Sequence, residues 1–188
     1  MSGKMTVLYL DHTGHVVAAM REPSSGPPKL EALVGESFPL GVVRRNGGSH
    51  NARSFDLPAS ILKSKSVALD ERVIAAPQRF AIDSDRVALL PDSAPTGPTV
   101  SDLDQTVIKL NLATGAPAAD INVLSIVRVV ASGEQRIQAG SFVATSADTV
   151  LNLAIAPPGP PAGLPAAAHC SICIAFAGRP LIYTDDAT

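Results

Sequence analysis

Short runs of apolar and β-prone residues, broken by turn residues, recur along this 188-residue chain. Residues 5–10 (MTVLYL) and 15–20 (HVVAAM) flank Asp11, His12, Thr13 and Gly14. Asp can bond the backbone of a turn and Gly can take positive φ, so this pattern predicts a β-hairpin with a four-residue connection. In an extended strand Val7 and Tyr9 share one face while Leu8 and Leu10 share the other. A strand apolar on both faces needs cover on both sides; here one cover is expected from a neighbouring chain.

Beyond the hairpin, residues 22–28 (EPSSGPP) read as a loop, and residues 29–34 (KLEALV) as a turn and a half of helix stopped by Gly35. Pro39 and residues 44–50 (RRNGGSH) mark further loops. Strand-like pieces follow at 61–62, 66–69, 73–75, 79–82 and 86–90, punctuated by Pro58, Pro77 and Pro91. Prolines at that spacing forbid a long helix and favour sheet edges.

The composition breaks at residues 91–98 (PDSAPTGP), which read as a linker. Residues 106–112 (TVIKLNL) then alternate, with Ile108, Leu110 and Leu112 on one face. Residues 120–131 (DINVLSIVRVVA) are apolar on both faces except at Asn122, Ser125 and Arg128, as a central strand requires. Ser132 and Gly133 begin a tight turn, and strands are expected at 135–139, 142–145, 149–155, 170–176 and 180–183. Residues 157–165 (PPGPPAGLP) form a proline-rich loop.

Many short strands with almost no helical period predict an all-β protein, a short-strand β-sandwich or open barrel. The C-terminal half resembles an immunoglobulin-like sandwich in strand spacing alone, without the Cys-Trp-Cys signature. The expected division is an N-terminal β-rich domain over 1–92 and a C-terminal sandwich-like domain over 99–188; a single continuous domain also fits.

Composition narrows the class. Hydrophobic residues make up 46% of the chain, aromatics 4% and charged residues 17%, with no Trp. Average soluble domains carry about 25% charged residues. Collagen, a coiled coil, a disulfide scaffold and a charged disordered tail are excluded. The net charge is −2, without the positive excess that phosphate binding demands, so nucleic acid is not an expected partner. Arg44, Arg45 and Arg53 read as a solvated loop. The longest apolar stretch is too short and too interrupted to span a bilayer, so no membrane insertion is expected. The first residues lack the pattern of a secretory signal, and two cysteines suit a reducing compartment, which makes the cytoplasm the expected location.

Candidate chemistry is sparse. His169, Cys170 and Cys173 are half of a zinc site with no second half. Strand alternation puts Cys170, Ile172, Ile174 and Phe176 on one face and Cys173 on the other, so the thiols read as buried and structural. Asp11, His12 and His15 crowd the first turn, where an acid–base pair or two metal ligands compete with plain turn chemistry. The pairs Asp83/Asp85, Asp102/Asp104 and Asp185/Asp186 lack the spacing of calcium loops. No phosphate loop, nucleophile elbow or zinc-protease motif occurs. No cofactor and no metal is expected.

The expected function is a non-catalytic structural or assembly subunit of a larger multi-subunit complex, most concretely a component of a phage or phage-tail-like particle, with other protein subunits as partners. Val7, Leu8, Leu10, Arg44 and Arg45 are its candidate interface residues. The alternative is a β-sandwich binding module for a peptide, protein or carbohydrate, using the loops at 44–53 and 157–165. A third reading is an enzyme with a dispersed site on Asp11, His12 and His15.

Overall fold

The computed structural model describes residues 3–46, 49–91, 99–104, 107–111, 119–144, 150–154, 164 and 168–187. Its N-terminal half contains β1 (Lys4–Leu10), β2 (Val16–Arg21), helix α1 (Leu30–Val34), β3 (Ser37–Asn46), β4 (Ser49–Pro58), β5 (Leu62–Ala68), helix α2 (Glu71–Ala75), β6 (Phe80–Asp83) and β7 (Arg86–Leu89). The C-terminal half contains β8 (Thr99–Leu103), β9 (Val107–Asn111), β10 (Ala119–Val129), β11 (Gln135–Ala144), β12 (Val150–Ala154), β13 (His169–Phe176) and β14 (Ile182–Ala187). All these strands pair antiparallel, and helix is confined to short pieces, so the architecture is all-β.

The C-terminal half is a sandwich. One sheet has the strand order β11-β10-β13-β14 and the other β12-β9-β8. Ile108, Leu110 and Leu153 from the smaller sheet pack with Val123, Val127, Ile172 and Ile174 from the larger one. The opposite face of the larger sheet is buried too. Leu124, Ile126, Cys173 and Ala175 share a cluster with Leu8, Leu10, Leu40, Phe55 and Leu57 from the N-terminal half. Strands β10 and β13 therefore form a middle layer, and their apolar residues at both parities follow from that position. The register confirms the partition, because Leu124 faces Ala175 and Ile126 faces Cys173, while Val127 faces Ile172.

The N-terminal half supplies the outer layer. A three-stranded sheet of order β2-β1-β5 sits beside the hairpins β3–β4 and β6–β7. Strand β1 has the predicted two faces. Met5 and Val7 join Val16, Val73 and Phe80 in a third cluster, while Leu8 and Leu10 face the middle layer. Val7, Leu8 and Leu10 are 0, 3 and 1% exposed. The cover expected from a neighbouring chain is thus supplied by the chain itself, and these side chains present no surface to a partner.

Several local expectations are corrected. Pro39 and residues 44–46 lie on a ten-residue strand, and β3–β4 is one long hairpin rather than a series of loops. Pro39 is tolerated because its neighbour Asp56 directs its backbone N–H and C=O away from β3, to the Gln135 side chain. Residues 73–75 are helical, since the Asp70 carboxylate caps α2 by accepting the Arg72 N–H at 2.9 Å. The pieces predicted at 135–139 and 142–145 merge into β11, and those at 61–62 and 66–69 largely into β5. The 91–98 linker falls, apart from Pro91, outside the described residues.

Ile126→Ala and Ile172→Ala empty opposite faces of the middle layer, and each should lower the unfolding free energy by about 2–5 kcal/mol. Urea titration measures both. A loss below about 1 kcal/mol at Ile126 alone would show that the N-terminal half does not seal its face of the sheet.

Candidate functional site

The turn between β1 and β2 carries the residues singled out for chemistry, and its backbone is tightly specified. Gly14 donates to the Leu10 carbonyl at 2.8 Å, while its own carbonyl accepts the Ile82 N–H at 2.7 Å. Its φ is +77°, and a Cβ there would stand 2.4 Å from the Ile82 oxygen, so the position accepts glycine alone without rearrangement. This packing of turn against β6 fixes the directions of the side chains on either side.

Asp11 and His12 come together; His15 does not join them. Asp11 and His12 line a cavity of about 310 Å3 with Ser60, Asn122, Leu124 and Ala139. The Asp11 carboxylate is held by Lys63 at 2.8 Å, a bond that raises the pKa of the lysine. His12 donates through Nε2 to the Gly140 carbonyl at 2.8 Å, and Ser141 donates to Asn122 Oδ1 at 2.7 Å. The cavity is polar, at the junction of the N-terminal half with β10 and β11. Asn122 stood out in the sequence as a polar break in an apolar strand, whereas nothing local marked Ser60 or Ala139.

His15 is fully buried on the other side of the turn. Its Nε2 donates to the Arg179 carbonyl at 2.6 Å, and the Thr13 hydroxyl, 3.0 Å from Nδ1, donates back. Both ring nitrogens are engaged in a neutral imidazole. Burial pushes the pKa below 6.5, against the smaller opposing effect of the backbone carbonyls of Arg179 and Thr13. His15 therefore acts as a joint between the first hairpin and the β13–β14 turn.

The remaining candidates are separated. Cys170 lies in the sandwich core and Cys173 in the cluster on the opposite face, as the alternation predicted. Burial pushes the Cys173 thiol up to about 12. Asp83 and Asp85 flank Ser84 in the β6–β7 turn, and the Lys65 ammonium bonded to Asp85 holds that carboxyl below its usual range. Arg44 and Arg45 stand opposite Asn51 and His50 near the tip of β3–β4, with side chains outside the described residues, as are those of Asp102, Asp185 and Asp186. Among the described residues no three His, Cys, Asp or Glu side chains converge on one point, and no helix is long and apolar enough to cross a membrane.

Two further cavities open among the described residues. One, of about 150 Å3, opens between the sandwich sheets beside Val123, Ser125, Gln138, Gly140, Asn152 and Leu153. The other, of about 210 Å3, is an apolar groove beside Leu8, Ala18, Leu33 and Phe38, edged by Met20. Comparison with protein-family models, with curated proteins and with solved structures finds no match to this chain.

Because the folded pKa of His15 is lowered, the unfolded chain binds the extra proton first as pH falls below 6.5. Its contribution is complete above pH 6.5 and is lost towards the folded pKa, with a slope of at most about 1.4 kcal/mol per pH unit for one proton. Denaturant titrations from neutral to acid pH should show this slope in the native chain and a shallower one in His15→Gln. Equal slopes would remove His15 as the titrating joint. Native Cys173 should resist alkylation at pH 8 and react once the chain is unfolded; mass spectrometry of the labelled peptide reads the difference.

Proposed function

We propose that this chain is a non-catalytic subunit built into a larger protein assembly, of which a phage or phage-tail-like particle is the concrete form. The observation that supports it most is the outer edge of β11. Val129 donates to the Glu134 carbonyl across the β10–β11 turn, and on its other side β10 meets β13, with Val130 donating to His169 and Asn122 accepting from Ala177. Odd-numbered residues of β10 thus bond β11 at even-numbered partners. The N–H and C=O groups of Ile137, Ala139 and Ser141 consequently point away from the sheet. β11 is also a terminal strand of the order β11-β10-β13-β14. A row of outward backbone groups on a terminal strand is a template for pairing with another chain.

The residues suited to catalysis support the same reading from the other side. Asp11, His12 and His15 are each held by a partner that ties one part of the fold to another. Other protein subunits are the partners this reading implies, with neither cofactor nor nucleic acid. The polar cavity at Asp11 and His12 favours the second reading, a monomeric module that binds a small hydrogen-bonding ligand.

Light scattering coupled to gel filtration, applied to tagged chain isolated from its source cells, separates the two. An assembled subunit is expected in a species several times heavier than 19.3 kDa. A 19.3 kDa monomer at every concentration in those extracts, with saturable ligand binding, would replace the assembly reading by the binding module.

A further inference from the structure

The two cavities flanking β11 lie at adjacent residues on opposite faces of one sheet. The cavity between the sandwich sheets is lined by Val123, Gln138 and Gly140, whose side of the sheet faces the sandwich core. The polar cavity is lined by Asn122, Leu124 and Ala139, whose side faces the N-terminal half. Both open beside the stretch of β11 whose odd-numbered backbone groups face outward. A strand laid along that edge would carry its side chains alternately to the two faces, with a period of two residues.

We propose that the β11 edge over residues 135–141 receives an extended segment of a different protein, with an apolar side chain entering the cavity between the sheets and the adjacent polar side chain entering the cavity at Asp11 and His12. This rests on the assembly reading and specifies the chemistry of the partner. The first cavity is mainly apolar, with Val123 and Leu153 beside Ser125, Gln138 and Asn152, and takes a small aliphatic side chain; the second offers Asp11, His12, Ser60 and Asn122 as hydrogen-bonding groups beside Ile61 and Leu124. The Gln138 side chain already donates to the Ala139 carbonyl at 3.0 Å, in the position that an incoming backbone N–H would take.

A second copy of β11 does not fit this edge. Its residues on the sandwich side are Arg136, Gln138 and Gly140, and on the other side Ile137, Ala139 and Ser141. Antiparallel self-pairing in one continuous sheet keeps each face in place, so it would bring Arg136 and Gln138 to the mainly apolar cavity and Ile137 and Ala139 to the polar one. The wanted segment has the reverse pattern, aliphatic where β11 is polar, so the occupant is a different sequence.

The test uses the full chain and a capped heptapeptide, acetyl-Lys-Val-Asn-Val-Asn-Val-Lys-amide, titrated into the millimolar range. Amide exchange followed by NMR is the readout. Binding should be saturable and should slow exchange of the Ile137, Ala139 and Ser141 amides about tenfold or more, while those of Arg136 and Gln138, already bonded to β10, change little. Ala139→Pro removes one outward N–H at a position where an edge strand tolerates proline, and should abolish binding; Ala139→Gly keeps the N–H and should bind. Unchanged exchange at the three amides at saturation, absence of saturable binding, or equal binding by Ala139→Pro overturns the proposal. So does a concentration-dependent homodimer of the free chain that Ala139→Pro dissolves. The exchange pattern in the native chain decides the matter even if the proline variant does not fold. If the edge fails while the chain from its source cells remains in a heavy species, the assembly reading stands and only the docking edge falls.

Discussion

Burial of the β10–β13 pair on both faces is the constraint from which the rest of the structure follows. A single layer of packing suffices for most antiparallel sheets, which then leave a polar face in water. These two strands lack such a face. Ile126 and Ile172, each within 1% of complete burial, point into different clusters. The smaller sandwich sheet can cover only one of them. The N-terminal half must therefore dock on the other, and the middle cluster unites residues from both sides of the segment at 91–98.

Docking a layer onto a sheet through apolar contact leaves backbone groups at the seam that still need partners. This chain meets that need with side chains that reach across. Arg128 donates to the Ser54 carbonyl at 2.5 Å, and the Gln135 amide both donates to and accepts from the backbone of Asp56. His12 reaches Gly140 and His15 reaches Arg179 from the first turn. Residue types often met in active sites are used here as ties between layers. For His15 the consequence is a pH-dependent joint, since the buried neutral ring resists protonation.

What was legible in the sequence was whatever depends on alternation. The opposed faces of Leu8 and Val7, and of Cys170 and Cys173, follow from a period of two and need no knowledge of the partner layer. The central position of β10 was legible for the same reason. What covers Leu8 and Leu10 was not, because the answer lies on β3, β4, β10 and β13, far along the chain. Proline and glycine punctuation misled at Pro39, where an outward-facing amide position made proline harmless, and at residues 44–46, which continue the β3–β4 ladder. The helix over α2 was hidden because Val73 and Ile74 favour strands on intrinsic preference, and the cap at Asp70 decides otherwise. Of the cavity at the first turn, Asp11 and His12 were visible as a cluster. Ser60 and Ala139 reach it only through tertiary contact.

The edges of β5, β2 and the β3–β4 hairpin are guarded, which sharpens the reading of β11. The terminal strand β5 carries Lys63 and Lys65, each in an ion pair, on a short strand. Strand β2 lies against α2 and the 3-10 turn at Pro77–Arg79. The hairpin β3–β4 has side chains bonded to its carbonyls from both flanks, Gln78 at Gly41 and Arg128 at Ser54. Strand β11 is longer than β5 or β2, and its one arginine turns inward to Glu134 rather than outward along the edge. Ala139 lies at the middle of that edge with a small side chain and an outward N–H. The β11 edge differs in having alanine at its middle and a cavity on either face, with Gln138 bonded to the Ala139 carbonyl as its reaching side chain, and these are the features on which the proposed pairing rests.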